Sequence, residues 1–235
     1  RKSKIDEMRK SFISDVSHEL KTPIALIQGY SEGLLENVNT DPENRQFYAE
    51  VIQDESNKMD KLVKQLLELT KLEYEKREFN NRTFNIVELE KEIVRTSKVM
   101  IDEKQTEVIF ETPDKIDVFA DDMYLSQIIT NYLTNAKHVK DVDGEKYIKI
   151  TNVVLQDKQK ARVTVFNTGE NISEENLNRI WNRFFKADEA RNRDDGGSGI
   201  GLSIVRAIMN NYGNRYGVTN KEDGVEFYFD LDLIV

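Results

Sequence analysis

Cysteine is absent from this chain of 235 residues, which excludes a disulfide framework and thiol catalysis. The chain also lacks a signal peptide and any apolar run near the roughly 20 residues that cross a bilayer, so as given it is predicted to be soluble. It has no extended basic block and a net charge of -9, which argues against nucleic-acid binding through phosphates. Because only two residues are histidines, most of the chain manages without imidazole.

The composition predicts an elongated, surface-rich part joined to a compact part. Charged residues make up 33% of the chain and apolar residues 38%, which is more charge and less apolar content than in most globular domains. The length allows one large or two modest domains. The chain opens with the charged, helix-like pattern RKSKIDEMRK, so we expect it to be a fragment of a longer protein.

Two long amphipathic helices are predicted in the first third of the chain. Apolar residues recur at intervals of three and four over residues 5–35 and again over residues 47–72. Between these stripes, Asp41 and Pro42 supply an N-cap and a first helical residue. A hairpin of this kind cannot bury its apolar seam alone. Dimerisation is therefore favoured over the alternative, a hairpin docked within a monomer.

The rest of the chain mixes strands with helices, which predicts an α+β sandwich with helices over one face of a sheet. Strands are predicted in TEVIFET, IDVFAD, KYIKITNVVLQ, ARVTVFN and GVEFYFDLDLIV, and helices in MYLSQIITNYLTNAKHV, SEENLNRIWNRFF and GIGLSIVRAIMNNYG. The boundary between the two parts is predicted near residues 76–82. We therefore expect domains at residues 1–78 and 79–235.

The segment SDVSHELKTPIALIQGY places one of the two histidines in a helical pattern. If it is helical, His18, Glu19 and Thr22 lie within little more than one turn. Pro23 has no N–H to donate to the Glu19 carbonyl and clashes with it, so we expect the helix to kink just beyond His18. A neutral imidazole is a nucleophile, and a neighbouring carboxylate can take up its proton. From the residues alone, His18 is either this nucleophile or an ordinary solvated side chain.

Three further motifs are each ambiguous when considered alone. GGSGIGL comes directly before an apolar helix, so it is either an anion-binding loop at a helix N-terminus or a flexible connection. Asn131 and Asn135 share one helix face, where their amide oxygens suit Mg²⁺ or simply face water. FNTGEN follows a predicted strand and is a turn with or without a function.

Together the motifs resemble those of sensor histidine kinases of two-component systems. SHELKTP resembles the phospho-acceptor box, NYLTNA the N box, FNTGENI the first glycine box, NRFFKAD the F box and GGSGIGLSIV the second glycine box, in the family's order. The likeness covers essentially the whole chain, and details such as YGVTNKEDGVEFYF are similar to the branch that contains vancomycin-resistance sensor kinases. It implies a helical hairpin that dimerises into a four-helix bundle, followed by an α/β sandwich ATP-binding domain.

The resemblance also implies roles for individual residues. His18 would attack the γ-phosphate of ATP, Glu19 would orient or deprotonate the imidazole, and Thr22 would hold water during dephosphorylation of a partner. Asn131 and Asn135 would lie beside the phosphates, with Asn135 as the Mg²⁺ ligand. Further nucleotide contacts are implied for Lys137, His138, Asn167, Gly169, Lys186, Gly197, Gly199 and Gly201.

A lid over the triphosphate would run from Lys186 to Ser198, with Arg191 as another phosphate contact. The sequence departs from the family pattern at the first glycine box, where Asn167 replaces the usual aspartate that accepts from the adenine amino group. Asn171 replaces the second glycine of that box, although asparagine tolerates left-handed backbone conformations. The basic residue expected after the N box falls at Lys137 or at His138.

The resemblance implies an ATP-dependent protein-histidine kinase that phosphorylates His18, transfers the phosphoryl group to an aspartate of a response regulator and also acts as a phosphatase. Its expected partners are a second copy of the chain and a receiver domain, with no nucleic acid. We expect a cytoplasmic fragment of a membrane-anchored bacterial sensor. The alternatives are an ATPase or chaperone-like module of the same nucleotide-binding fold, and a dimeric scaffold with a degenerate nucleotide site.

Overall fold

The computed structural model divides the chain into two compact units. It describes residues 2–36, 41–74, 78–103, 105–136, 139–142, 144–155, 159–186 and 197–233. The first unit comprises Arg1–Thr70 and Arg183–Ile200, and the second comprises Lys71–Asn182 and Gly201–Val235. Within the described part of the chain, none of the helices combines the length and the hydropathy that a membrane span requires.

The first unit is built on the two predicted helices, α1 (Lys2–Leu35) and α2 (Pro42–Tyr74), the last turn of which belongs to the second unit. The Asp41 side chain accepts a hydrogen bond from the Glu43 amide at 3.3 Å, which confirms the predicted cap. Helix α1 continues through Pro23 to its end at Leu35. The phospho-acceptor-like segment therefore lies inside a continuous helix.

The two helices are joined at the loop end by aromatic packing. The Tyr30 ring lies 4.9 Å from the Tyr48 ring and 6.1 Å from the Phe47 ring, centroid to centroid. A Cβ at Gly33 would stand 2.6 Å from Tyr48 Cε2, so a side chain there would require the Tyr48 ring to move. These contacts between the end of α1 and the start of α2 confirm the antiparallel hairpin.

The second unit contains a five-stranded mixed sheet, a two-stranded sheet and five helices within the described residues. In chain order its elements are β1 (Arg82–Asn85), α3 (Ile86–Thr96), α4 (Lys98–Glu103), β2 (Glu107–Glu111), β3 (Asp117–Ala120), α5 (Asp122–Asn135), β4 (Tyr147–Leu155), β5 (Lys160–Thr168), α6 (Glu174–Leu177), α7 (Gly201–Tyr212), β6 (Tyr216–Lys221) and β7 (Gly224–Asp232). The large sheet has the order β2-β4-β5-β7-β6, with only β2 and β4 parallel, and β1 pairs with β3.

The large sheet has an apolar face and a polar face, as its strand alternation requires. Pairs such as Val163 with Phe229 lie on the apolar face, where Tyr132 of α5 packs 6.0 Å from Phe229. On the other face Arg162 forms two hydrogen bonds, of 2.7 and 3.0 Å, with Asp230. The predicted sandwich, with helices over one face, is therefore confirmed.

One predicted helix is much shorter than expected. The segment SEENLNRIWNRFF forms only the single turn of α6, and Ser173 makes no side-chain capping bond. Beyond it, the Arg179 and Asn182 N–H groups each donate to the carbonyl three residues back, as in turns, and only Ile180 N–H donates to a carbonyl four residues back. Trp181 packs 4.9 Å from Tyr216, so tertiary packing favours these turns over a longer helix. Elements β1, α3, α4 and β6 were not predicted.

Candidate functional site

Helix α1 presents His18 to solvent. His18 and Thr22 are both exposed, and they lie one turn apart because the helix is unbroken between them. Glu19, which follows the histidine, is half-buried. The segment therefore supplies an accessible imidazole with a carboxylate next to it in sequence.

Lys186 contacts Glu19 in the structure, where the sequence predicted a phosphate contact. The Lys186 ammonium donates to Glu19 Oε2 at 3.1 Å. Nearby in the chain, the Arg183 guanidinium lies 4.9 Å from the centre of the Phe12 ring. Both interactions join the F-box segment to α1 within the first unit. Sequence spacing contains no signal for either, since the partners are more than 160 residues apart.

The second glycine box also contacts the helical hairpin. Ser198 donates a hydrogen bond to Gln65 Oε1 of α2 at 2.7 Å. Gly199 has a φ of 69°, and a Cβ there would stand 2.8 Å from the Phe184 backbone carbon. Phe184 itself has a φ of 59°, which a non-glycine residue adopts only with strain. Glycine at position 199 thus lets the two boxes lie against each other.

In the second unit, α5 and the start of α7 form a small amide-lined surface. Asn131 Oδ1 lies 2.6 Å from where a Cβ of Gly201 would stand. One turn later, Asn135 Nδ2 is buried and has no hydrogen-bond partner among the residues that the structure describes. An orphaned buried donor costs free energy unless a ligand or water satisfies it. The two asparagines and the N-terminus of α7 therefore fit an anionic ligand such as a phosphate group.

The end of β5 holds the predicted adenine contact. Asn167 is buried, and its Nδ2 donates to the Thr168 carbonyl at 3.1 Å. The side-chain oxygen, Oδ1, takes no part in this bond. Gly169 has a φ of 148° and donates its N–H to the Asp223 carbonyl at 2.9 Å. A glycine at this position is required by that backbone conformation.

Thr168, which no sequence motif indicates as a functional residue, joins the chain after α5 to the first glycine box through hydrogen bonds. Its hydroxyl donates to the Lys140 carbonyl at 2.8 Å, and the Lys140 N–H donates to the Thr168 carbonyl at 3.0 Å. Lys137 and His138 lie outside the described residues. Asn171 is exposed and does not take a left-handed backbone conformation, so the predicted tolerance of asparagine for that conformation is not used.

The predicted site residues fall into two groups. The first unit contains His18, Glu19, Thr22, Lys186, Gly197 and Gly199. The second unit contains Asn131, Asn135, Asn167, Gly169 and Gly201. Arg191 is outside the described residues. Among those described, no three histidine or carboxylate side chains are placed to hold a metal ion. The acceptor-like histidine and the amide-lined surface are thus carried by separate units.

Comparison with known proteins matches both units. Residues 8–75 match the His Kinase A (phospho-acceptor) domain, and residues 120–234 match the histidine kinase-, DNA gyrase B- and HSP90-like ATPase family. Sensor protein SrrB of Staphylococcus aureus is 31% identical over 218 residues, which are 92% of this chain and 36% of SrrB. The chain therefore spans about a third of the length of this relative.

Two solved structures extend the match. The histidine kinase ThkA in complex with the response regulator protein TrrA is 28% identical, with a TM-score of 0.77, over 100% of this chain and 64% of that chain. The ThkA catalytic domain is 30% identical, with a TM-score of 0.56, over 66% of this chain and 97% of that chain. This chain belongs to the sensor histidine kinases of two-component systems.

Proposed function

We propose that this chain is a kinase core that transfers the γ-phosphoryl group of ATP to His18 and then to an aspartate of a response regulator. The observation that carries the proposal is the exposed His18, followed by Glu19 on an unbroken helix, in a phospho-acceptor hairpin joined to an ATPase fold. An ATPase or chaperone-like module would have no use for that hairpin.

The first step is an in-line displacement at phosphorus. A ring nitrogen of His18 forms the P–N bond as the P–O bond to ADP breaks, and Glu19 takes up the proton from the other ring nitrogen. In the second step an aspartate oxygen of the regulator displaces the imidazole. Little covalent work falls to the protein, so positioning and charge neutralisation supply most of the rate enhancement.

The second unit would hold the nucleotide. Asn131 and Asn135 would face the phosphates, and Asn135 Nδ2, which has no partner among the described residues, supports this role. Asn167 Oδ1 would accept from the adenine amino group, while its Nδ2 stays on the Thr168 carbonyl. Asn135 would be the single protein ligand of Mg²⁺, an ion that usually keeps waters and binds substrate phosphates. When bound, Mg²⁺ would neutralise charge on the transferring phosphoryl group.

The hairpin would form the interface with a second copy and dock the receiver domain. Exposed apolar side chains on both helices, among them Ile24, Phe47, Val63 and Leu67, support a further helical partner. The complex of ThkA with TrrA supports a receiver domain as the acceptor. The exposed Thr22, one turn after His18, also favours phosphatase activity towards that regulator.

Incubation with Mg²⁺ and γ-labelled ATP tests the kinase proposal. We expect an acid-labile, alkali-stable label that is lost in His18→Gln and retained in the matched variant Glu32→Gln, which changes an exposed residue of the same helix. Label that survives in His18→Gln would contradict the assignment of the acceptor. Bound nucleotide without any label would instead favour the scaffold.

A further inference from the structure

We propose that Lys186 is shared between two anions, so that Glu19 holds it in the nucleotide-free protein and the phosphates of ATP take it when nucleotide binds. The exchange releases the carboxylate next to His18 at the moment when a phosphoryl donor is present. This inference rests on the kinase function proposed above, and it adds to that function a way for nucleotide loading to control the acceptor.

The contact itself is a partly buried ion pair. The Lys186 ammonium and Glu19 Oε2 are 3.1 Å apart, and the two side chains are 25% and 32% exposed. Pairs of this exposure are worth little individually, which suits an interaction that a second anion must displace. A triphosphate carries several negative charges, so it competes effectively for one lysine.

Two further contacts place the same segment on the hairpin. Arg183 lies over the Phe12 ring of α1, and Ser198 donates to Gln65 of α2. The backbone of Phe184 lies against Gly199, so the segment that carries Arg183 and Lys186 packs against the segment that carries Ser198. Lys186 is therefore held at Glu19 by its surroundings as well as by its own charge.

The ion pair restrains the chemistry assigned to Glu19. An ammonium donor on Oε2 occupies lone pairs that would otherwise accept the imidazole proton. With Lys186 removed by nucleotide, both carboxylate oxygens become available to His18. Lys186 thus acts as a positioning residue for Glu19, and its effect on phosphorylation is exerted through that carboxylate.

Thermodynamic linkage makes the exchange measurable without any phosphorylation. If nucleotide must displace Glu19 from Lys186, the ion pair weakens nucleotide binding by a certain factor. Removing the Glu19 charge must then tighten nucleotide binding by that factor. From the usual worth of such pairs, Glu19→Gln should lower the dissociation constant about two- to fivefold. A merely structural role for Glu19 would not produce this gain.

The experiment measures binding of a non-hydrolysable ATP analogue with Mg²⁺ by calorimetry, using the full chain. We expect tighter binding in Glu19→Gln and weaker binding in Lys186→Gln, and no further effect of Glu19→Gln in the Lys186→Gln background. In a Lys186→Arg background the gain from Glu19→Gln should return. Glu32→Gln, which removes an exposed charge from the same helix, is the matched control and should leave binding unchanged.

Three outcomes overturn the inference. They are equal affinity in the wild type and Glu19→Gln, an equal gain in Glu32→Gln, and unchanged affinity in Lys186→Gln. If the wild-type chain binds no nucleotide, the proposed function fails together with the inference. Nucleotide binding without linkage between Glu19 and Lys186 would remove the inference alone.

Discussion

Glu90 and Asn152 face each other in the interior of the second unit. Asn152 Nδ2 donates to Glu90 Oε2 at 2.7 Å, while Glu90 Oε1 and Asn152 Oδ1 are buried and have no hydrogen-bond partner within the described part of the chain. Burial raises the pKa of Glu90, and its hydrogen bond to Asn152 lowers it. The effect of burial is the larger one, so the pKa is about 7. A proton on Glu90 would convert one of the two orphaned acceptors into a donor.

At the residue scale this predicts a loss of stability with rising pH. Because the folded protein binds the Glu90 proton more tightly than the unfolded chain, the contribution is full below the unfolded pKa of about 4.5 and is lost as pH rises through about 7. Glu90→Gln should therefore gain up to about 3 kcal/mol over the wild type at pH 8, and little at pH 4.5. Urea unfolding followed by the single tryptophan, Trp181, measures the difference.

The exposed Glu88 on the same helix supplies the control for Glu90. A difference between Glu88→Gln and the wild type should not change over this pH range. If the stability difference for Glu90→Gln is equally flat, Glu90 is ionised in the folded protein at pH 8 without cost.

Asn167 carries a second prediction at this scale. An Asn167→Asp variant should bind ATP about fivefold more tightly, because a charge-assisted bond to the adenine amino group is stronger than a neutral one by about 1 kcal/mol. Without nucleotide it should be less stable, since it loses the donor to the Thr168 carbonyl. Calorimetry with ATP and thermal unfolding measure the two effects. Equal ATP affinity would count against Asn167 as the adenine contact.

At the element scale, the pairing of β5 with β7 depends on one glycine. A Cβ at Gly224 would stand 2.0 Å from the Asn167 carbonyl oxygen, so an alanine must push the strands apart. We expect Gly224→Ala to lose about 1–3 kcal/mol of unfolding free energy and to weaken nucleotide binding through Asn167. The control is Gly29→Ala in α1, where a Cβ meets no atom of the described residues within 4 Å. That variant should gain about 0.5–1 kcal/mol, and equal losses in both would contradict the steric explanation.

Elements with a strong periodic pattern were predictable, and elements made by tertiary contacts were not. Helix α5 has both a cap at Asp121 and a continuous apolar stripe, whereas α6 ends after one turn because Trp181 packs towards Tyr216. Strand β6 begins Tyr-Gly-Val, a weak strand pattern, and is stabilised by its pairing with β7. At Gly217 a Cβ would meet Tyr228 at 2.7 Å, which no local pattern reveals.

In the candidate site, too, features that follow from periodicity were predictable and features that depend on tertiary contacts were not. Helical periodicity alone places Asn131 and Asn135 on one face, and the structure agrees. The approach of Gly201 to Asn131 and the bond from Lys186 to Glu19 join distant parts of the sequence. Such contacts depend on the tertiary fold, so the sequence identified these residues without identifying all of their partners.

At the scale of the whole molecule, the second unit begins within the last turn of α2. The Leu72 side chain is buried, and Asn211 of α7 donates to the Leu72 carbonyl at 2.8 Å. A fragment of residues 71–235 should therefore be more stable than one of residues 79–235 by about 1.5–3 kcal/mol, from Leu72 burial alone. Thermal unfolding of both fragments measures this. Equal stability would support the boundary between residues 78 and 79 that the sequence predicts.

Dimerisation gives a second prediction at this scale. Val63 and Leu67 are 42% and 57% exposed and lie one turn apart on α2, so a partner helix would cover them. The double variant Val63→Glu and Leu67→Glu should be a monomer by light scattering, whereas we expect the wild type to be a dimer. Lys64→Glu changes an exposed charge on the same helix and should remain dimeric. A monomeric wild type would contradict the proposed interface.

The order of strands in the large sheet also bears on how fast the protein folds. Strands β4 and β5, and likewise β6 and β7, are neighbours in sequence and form local hairpins. In the sheet the two hairpins are joined through β5 and β7, whose residues pair from Lys160 with Asp232 to Thr168 with Gly224. The chain between these two strands includes the F box, the second glycine box and α7. Closing that long loop is expected to be the slow step. Since doubling the length of a flexible loop costs only about 0.6 kcal/mol, the long connection is expected to slow folding far more than it lowers stability.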